Sequence, residues 1–183
     1  MSVFALGRRI EDAVRRSADS ESRTLDSVQA LMRAALADGL QIPEDMSRPG
    51  LDRYVMYPAH VADDGIFSLA VAVWGVKQRT PIHDHGTWGV IGIVSGCELE
   101  DRYDVEAPGM APRHVGRRYH HPGAVTVCCS DDDDVHAVAC SGSVPTIALH
   151  AYGTDIGVTT RRVYDPMTGQ VQPFVSAWAK PGS

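Results

Sequence analysis

From Asp52 onward the chain is cut into short apolar runs, each closed by a turn signal, and this texture restricts what it can fold into. RYVMYPAHV ends at Asp63, Asp64 and Gly65, and IFSLAVAVWGV follows. After a central stretch come VGRRYHH with a Pro122-Gly123 turn, AVTVCC with a run of four aspartates, VHAVAC with a Ser-Gly-Ser turn, TIALHAY and TTRRVYD. The last run, Val171 to Val175, follows a Thr168-Gly169 turn. Runs of this length, rich in β-branched and aromatic residues, predict an all-β barrel or sandwich. Residues 1 to about 40 have a different period. Phe4, Leu6, Ile10 and Val14 can share one helical face, and Leu25, Val28, Leu31, Met32, Ala35 and Leu36 form a second apolar stripe. Ser22 and Thr24 are candidate N-caps and Gly39 a candidate stop. Ile42 to Leu51, with two prolines and a glycine, reads as a connection. The expectation is one domain over 1–183: a helical segment, 1–40, packed outside a β core spanning 52–178.

The chemistry concentrates in TPIHDHGTWGVIGIVSGCELEDRYD, Thr80 to Asp104. His83 and His85 are two apart, so on an extended strand both rings point to the same side. Pro81 disfavours helix there and biases Thr80 towards extended geometry. WGVIGIV reads as a buried strand, Gly96 as a turn, and Glu98 to Tyr103 as the start of a returning strand. A His-x-His entering a barrel interior is a metal-site proposal that needs a third ligand. His136, in the strand-like VHAVAC, is the best candidate, and His150, in LHAY, competes with it. His60, His114, His120 and His121 occupy loop-like, edge or turn positions and rank lower. The aspartates Asp131 to Asp134 read as a solvated turn, since a calcium loop needs spaced ligands and a fixed glycine. Trp74 and Trp88 read as core and wall residues.

Charge and cysteine usage exclude other classes. Seventeen Lys and Arg against 23 Asp and Glu give a net charge of −6, with no basic block to bind nucleic acid. No apolar run reaches the roughly 18 residues of a membrane span, and the charged N-terminus is unlike a signal peptide. The expectation is a soluble cytoplasmic protein, a monomer or small homo-oligomer, with no nucleic-acid or membrane partner. Cys97, Cys128, Cys129 and Cys140 show no CxxC spacing and read as reduced thiols.

TPIHDHGTWGVIGIVSG, the later His136 and LHAYGTDIG together resemble the thiol dioxygenases of the cysteine dioxygenase family, within the cupin superfamily. The similarity runs from about Asp52 to Trp178. It implies a cupin-type double-stranded β-helix, or jelly-roll barrel, with N-terminal α-helices. It implies Fe(II) on His83, His85 and His136, and oxidation of a small thiol to its sulfinate with both atoms of O2. Where common cupins place a glutamate ligand, this chain has Gly89 and Val90. Mammalian-type members carry a cysteine cross-linked to an active-site tyrosine; that position is Gly89 here, so Tyr152 is expected to be uncrosslinked. Their substrate-binding arginine lies near the position of Tyr57, and no arginine stands there. In bacterial 3-mercaptopropionate dioxygenases the arginine lies eleven residues after the outer histidine, which is Arg161 counted from His150. Arg161 and Arg162 face opposite ways on a strand, and the resemblance favours Arg161 as the substrate-binding residue. The family's Ser-x-His-x-Tyr relay reads Ala148-Leu149-His150-Ala151-Tyr152 here, giving His150 and Tyr152 catalytic roles without the serine hydroxyl. His150 then needs another partner or water for its second nitrogen. The competing readings are a non-catalytic metal-binding cupin and another metal-dependent cupin enzyme.

Overall fold

The computed structural model describes residues 1–107, 109–128 and 134–181. Two helices, α1 (Val3–Arg16) and α2 (Glu21–Ala37), precede eleven strands. These are β1 (Val55–Val61), β2 (Ser68–Trp74), β3 (Ile82–His83), β4 (Gly89–Ser95), β5 (Glu98–Asp104), β6 (Arg113–His120), β7 (Val125–Cys128), β8 (His136–Cys140), β9 (Thr146–Tyr152), β10 (Arg161–Tyr164) and β11 (Val171–Phe174). They form two antiparallel sheets, one in the order β1-β2-β9-β4-β7 and one in the order β11-β10-β3-β8-β5-β6. This is the double-stranded β-helix, or jelly-roll barrel, that the sequence predicts. No helix among the described residues is long and apolar enough to cross a membrane.

The helices cover the outer face of the five-stranded sheet. Val3, Leu6 and Ile10 of α1 and Val28, Met32 and Ala35 of α2 are fully buried against Leu69, Val71, Val73, Val90, Leu149 and Ala151. Strand alternation then sends Ala148, His150 and Tyr152 of β9 to the opposite face, into the barrel. Every residue of β2 is buried because one face meets the helices and the other the barrel interior. Among the described residues no helix covers the outer face of the six-stranded sheet, and β6 is mostly exposed.

The helix ends differ from the sequence expectation. Ser2 and Ser20 are the N-caps, accepting from the backbone N–H of Ala5 (3.3 Å) and Arg23 (3.4 Å). Ser22 and Thr24 lie inside α2, where Thr24 bonds the Ser17 hydroxyl at 2.8 Å. Phe4 is 40% exposed, and Val3 takes its place on the buried face with Leu6, Ile10 and Val14. A helical step of about 100° carries Phe4 away from that stripe. Gly39, at φ 74°, does follow the end of α2. The connection before β1 contains a short 3-10 turn at Glu44–Met46. Cys129 and Asp131 to Asp133 lie outside the described residues; Cys97, Cys128 and Cys140 are free thiols.

Candidate metal centre

β3 is only two residues long, so His83 is on the strand and His85 lies just past it. What keeps the pair extended is the residue between them. Asp84, 3% exposed, points away from the histidines and accepts from the Arg162 backbone N–H (2.9 Å), the Tyr164 hydroxyl (2.8 Å) and the Arg162 guanidinium. Three bonds to one buried carboxylate clamp the segment to β10, and both rings turn inward. On the other side of β3, His136 of β8 stands directly opposite His83 in the strand register.

The three rings converge. Their centroids are 4.7, 4.9 and 5.0 Å apart, and one nitrogen from each lies within 4.8 Å of the others. All three side chains are buried. Each Nδ1–H has an acceptor: Pro81 carbonyl for His83 (3.0 Å), Asp134 Oδ1 for His85 (2.7 Å) and Glu100 Oε1 for His136 (3.0 Å). This arrangement assigns Nε2 as the metal-facing nitrogen of every ring, and it is the usual outer support of metal-bound histidine. Burial, and then the neighbouring histidines and Arg161, push His83 well below its ordinary value. His85 is pushed the same way by burial, His136 and Arg161. Three convergent imidazoles with anchored Nδ1 atoms form a donor set that fits a divalent transition metal. With three candidate protein ligands among the described residues rather than four, it has the donor count of an open site rather than of a structural zinc site.

The supporting carboxylates were not visible in the sequence. Asp134, the last of the four aspartates, accepts from the His85 backbone (2.6 Å) and ring and from the Gly86 backbone (3.1 Å). Glu100 accepts from both His136 and His120, each at 3.0 Å. Burial alone would raise the Glu100 carboxyl, but the bonds from His120 and His136 outweigh it and hold it well below the usual carboxylate range. Glu98, two residues earlier on the same face of β5, has a buried Oε2 with no hydrogen-bond partner among the described residues, and burial pushes it up to about 8. The one signal available was that Glu98 and Glu100 share a strand face. Which face turns inward depends on the pairing of β5 with β8, a long-range contact.

The remaining residues singled out in the sequence divide cleanly. His150 and Tyr152 face the same small cavity as the three histidines, with Arg161, Thr80, Met56, Ala72 and Trp74 around them. His150 Nδ1 lies 2.9 Å from the Tyr152 hydroxyl, and the Tyr152 ring stacks on His85 at 5.3 Å. Burial pushes His150 down to about 3, so it is neutral. Trp74 packs against His150 at 5.4 Å. Arg161 is 4% exposed; its Nη2 donates to Ser176 Oγ (2.6 Å) and its guanidinium lies over Phe174. Arg162 turns outward to Asp84. His60 pairs with Glu11 of α1, His114 with Asp101, and His121 sits exposed in the Pro-Gly turn. Gly89 is required by space: a Cβ there would stand 2.7 Å from Cys128 Sγ and 3.1 Å from the Tyr152 ring.

The cavity holds about 20 Å³, room for roughly one water. Tyr54 and Arg161, which both line it, bond Ser176 Oγ (2.7 and 2.6 Å). A second pocket of about 420 Å³ shares Tyr54 and Met56 with it and is also lined by Arg53, Arg79 and the segment 174–179.

No family model matches the chain. Among solved structures it is similar to the TT1209 protein of Thermus thermophilus, at 12% identity and a TM-score of 0.46 over 62% of this chain and 95% of that one. It is similar to an uncharacterized conserved protein with a double-stranded β-helix domain from Klebsiella pneumoniae, at 15% identity and a TM-score of 0.47 over 63% and 85%. A cupin superfamily protein from Desulfitobacterium hafniense gives 11% identity and a TM-score of 0.46 over 62% and 90%. The site itself rests on this chain's own geometry.

Proposed function

We propose that the chain is a thiol dioxygenase that uses Fe(II) on His83, His85 and His136 to oxidise a small carboxylated thiol, 3-mercaptopropionate or cysteine, to its sulfinate with O2. The observation that carries the reading is the state of Arg161. Its Nε is buried and has no hydrogen-bond partner among the described residues, and it lines the same cavity as the three histidines. An unpaired buried donor on a guanidinium is costly unless a ligand completes it. A carboxylate is the group whose shape matches that donor fork. A metal store has no need of it, nor of the His150–Tyr152 pair.

When bound, the iron supplies the redox chemistry that joins oxygen to sulfur. The protein's share is positioning. Arg161 holds the carboxylate, exchanging its bond to Ser176 for bonds to substrate. His150 fixes the Tyr152 ring, whose hydroxyl donates to the oxygen or sulfur side of the reacting group. Met56, Ala72, Trp74 and Val138 exclude water around it. Thiol chemistry and free cysteines suit a reducing, cytoplasmic setting.

Oxygen uptake by the iron-loaded protein with a panel of thiols tests the reading. We expect 3-mercaptopropionate to be used at least as well as cysteine, and cysteamine, which lacks a carboxylate, to be poor. Greatest activity with cysteamine, or no uptake with any thiol, overturns it; metal retained without oxygen uptake would leave a metal-binding cupin.

A further inference from the structure

Two buried polar atoms face each other across the barrel with no partner of their own. Glu98 Oε2, on β5 of one sheet, lies 4.0 Å from His150 Nε2, on β9 of the other. Neither makes a hydrogen bond among the described residues, although the side chains are buried. One unsatisfied buried polar atom is unusual, and two in opposition form a pair that about an ångström of closure or one bridging water completes. Ala148 lies two residues before His150 on the same inward face, but its methyl has no hydrogen to give.

We propose that Glu98 is a positioning residue that completes a Glu98–His150–Tyr152 relay and sets the direction in which the Tyr152 hydroxyl points. Neutral His150 carries one N–H. If Nε2 accepts from the Glu98 carboxylic acid, that hydrogen must sit on Nδ1. Nδ1–H then donates to the Tyr152 oxygen, 2.9 Å away, and the phenol hydrogen is turned towards the cavity. An ionised Glu98 reverses every step: Nε2–H donates to it, Nδ1 accepts from Tyr152, and the phenol hydrogen is spent on the histidine. Burial holds Glu98 in the acid form at neutral pH, since it titrates near 8. The carboxylic acid therefore performs the duty that a hydroxyl at residue 148 would perform, from the opposite sheet.

The assignment rests on the reading of Tyr152 as a donor to the reacting group, and two separate measurements keep the two ideas apart. Histidine side-chain ¹⁵N spectra of the full chain, loaded with zinc, report the tautomer of His150 without any turnover. The native protein should show the Nδ1–H form. E98Q, whose amide N–H still donates to Nε2, should keep it; E98A should lose that preference; and A148S added to E98A should restore it. In the iron-loaded protein E98A should lower kcat by about ten- to a hundredfold with KM within about twofold, and E98Q should retain most of the rate. An Nε2–H tautomer in the native protein, or an unchanged tautomer in E98A, overturns the relay whatever the rates. Should E98A fail to fold, the native protein and E98Q decide the question. If no thiol is oxidised, the proposed function fails, and the spectra still decide the relay.

Discussion

The two sheets of the barrel are built to different rules. The five-stranded sheet is mainly apolar on both faces, because helices α1 and α2 lie on its outside and the barrel interior is within. It lends the cavity Met56, Ala72 and Trp74 as walls, and His150 and Tyr152 as polar groups. Among the described residues the six-stranded sheet has no helical cover. It carries His83, His136, Arg161, Glu98 and Glu100 on the side that faces inward. The division has a physical reason. Buried charges need partners from neighbouring strands, and an open sheet can hold its outer polar groups in water while its inner ones pair. A sheet covered on both faces has no such freedom. The five-stranded sheet therefore supplies most of the packing and the six-stranded sheet most of the chemistry.

The largest effect that separates these roles should come from the metal histidines. His136→Ala is expected to abolish iron retention after gel filtration, measured by metal analysis, while the helix content of the folded chain is unchanged. Full iron occupancy in this variant would shift the assignment to His150. In the other sheet, Leu69→Ala removes a fully buried side chain facing the helices. It should lower unfolding stability by about 2–5 kcal/mol in a denaturant titration and leave metal uptake by the folded protein intact. Loss of metal affinity on that substitution would show that the sheets are not separable.

Glu98 belongs to one sheet and points at the other, which makes its titration a sharper test. Its folded value is raised to about 8, above that of an unfolded carboxyl. Its contribution is therefore fully present below the ordinary carboxyl range and is lost as pH rises through about 8. E98Q cannot ionise. Its stability relative to the native chain should grow between about pH 5 and pH 9, by on the order of a few kcal/mol, read from thermal or denaturant unfolding at each pH. A difference that does not change with pH would place the carboxyl in contact with water. The smallest of these effects belongs to Arg161. Arg161→Ala should raise KM for carboxylated thiols about ten- to a hundredfold, the worth of one charged hydrogen bond, with little change for cysteamine. An unchanged KM would move attention to Arg162.

Much of this arrangement could be read from the chain itself. Short runs and turn signals predicted the strands, and a spacing of two predicted that His83 and His85 share a side. The same alternation separates Arg161 from Arg162, and the structure sends one inward and the other to Asp84. Local patterns carry that information because a strand's period is a property of each residue and its neighbours. What stayed hidden depends on other strands. Glu100 and Glu98 looked like members of an ordinary returning strand, and Asp134 like the end of a solvated turn. Glu100 and Asp134 bond His136 and His85, and Glu98 lies 4.0 Å from His150; all three histidines are far away in sequence from these carboxylates, and only the closed barrel brings them together. Helix ends were missed for a similar reason: Ser20 and Ser22 are equally good caps in isolation, and packing of Val28, Met32 and Ala35 fixes the register.

Asp84 has a consequence for selectivity. It ties the two metal-facing histidines on either side of it to β10, the four-residue strand that also carries Arg161. The cation that would receive the carboxylate and the centre that would receive the sulfur are thereby mounted on one rigid bracket. Their separation is a built-in ruler. On the proposed function, a thiol acid one methylene longer or shorter than the preferred substrate must strain either its own chain or this clamp, so the enzyme should measure substrate length rather than merely sense charge.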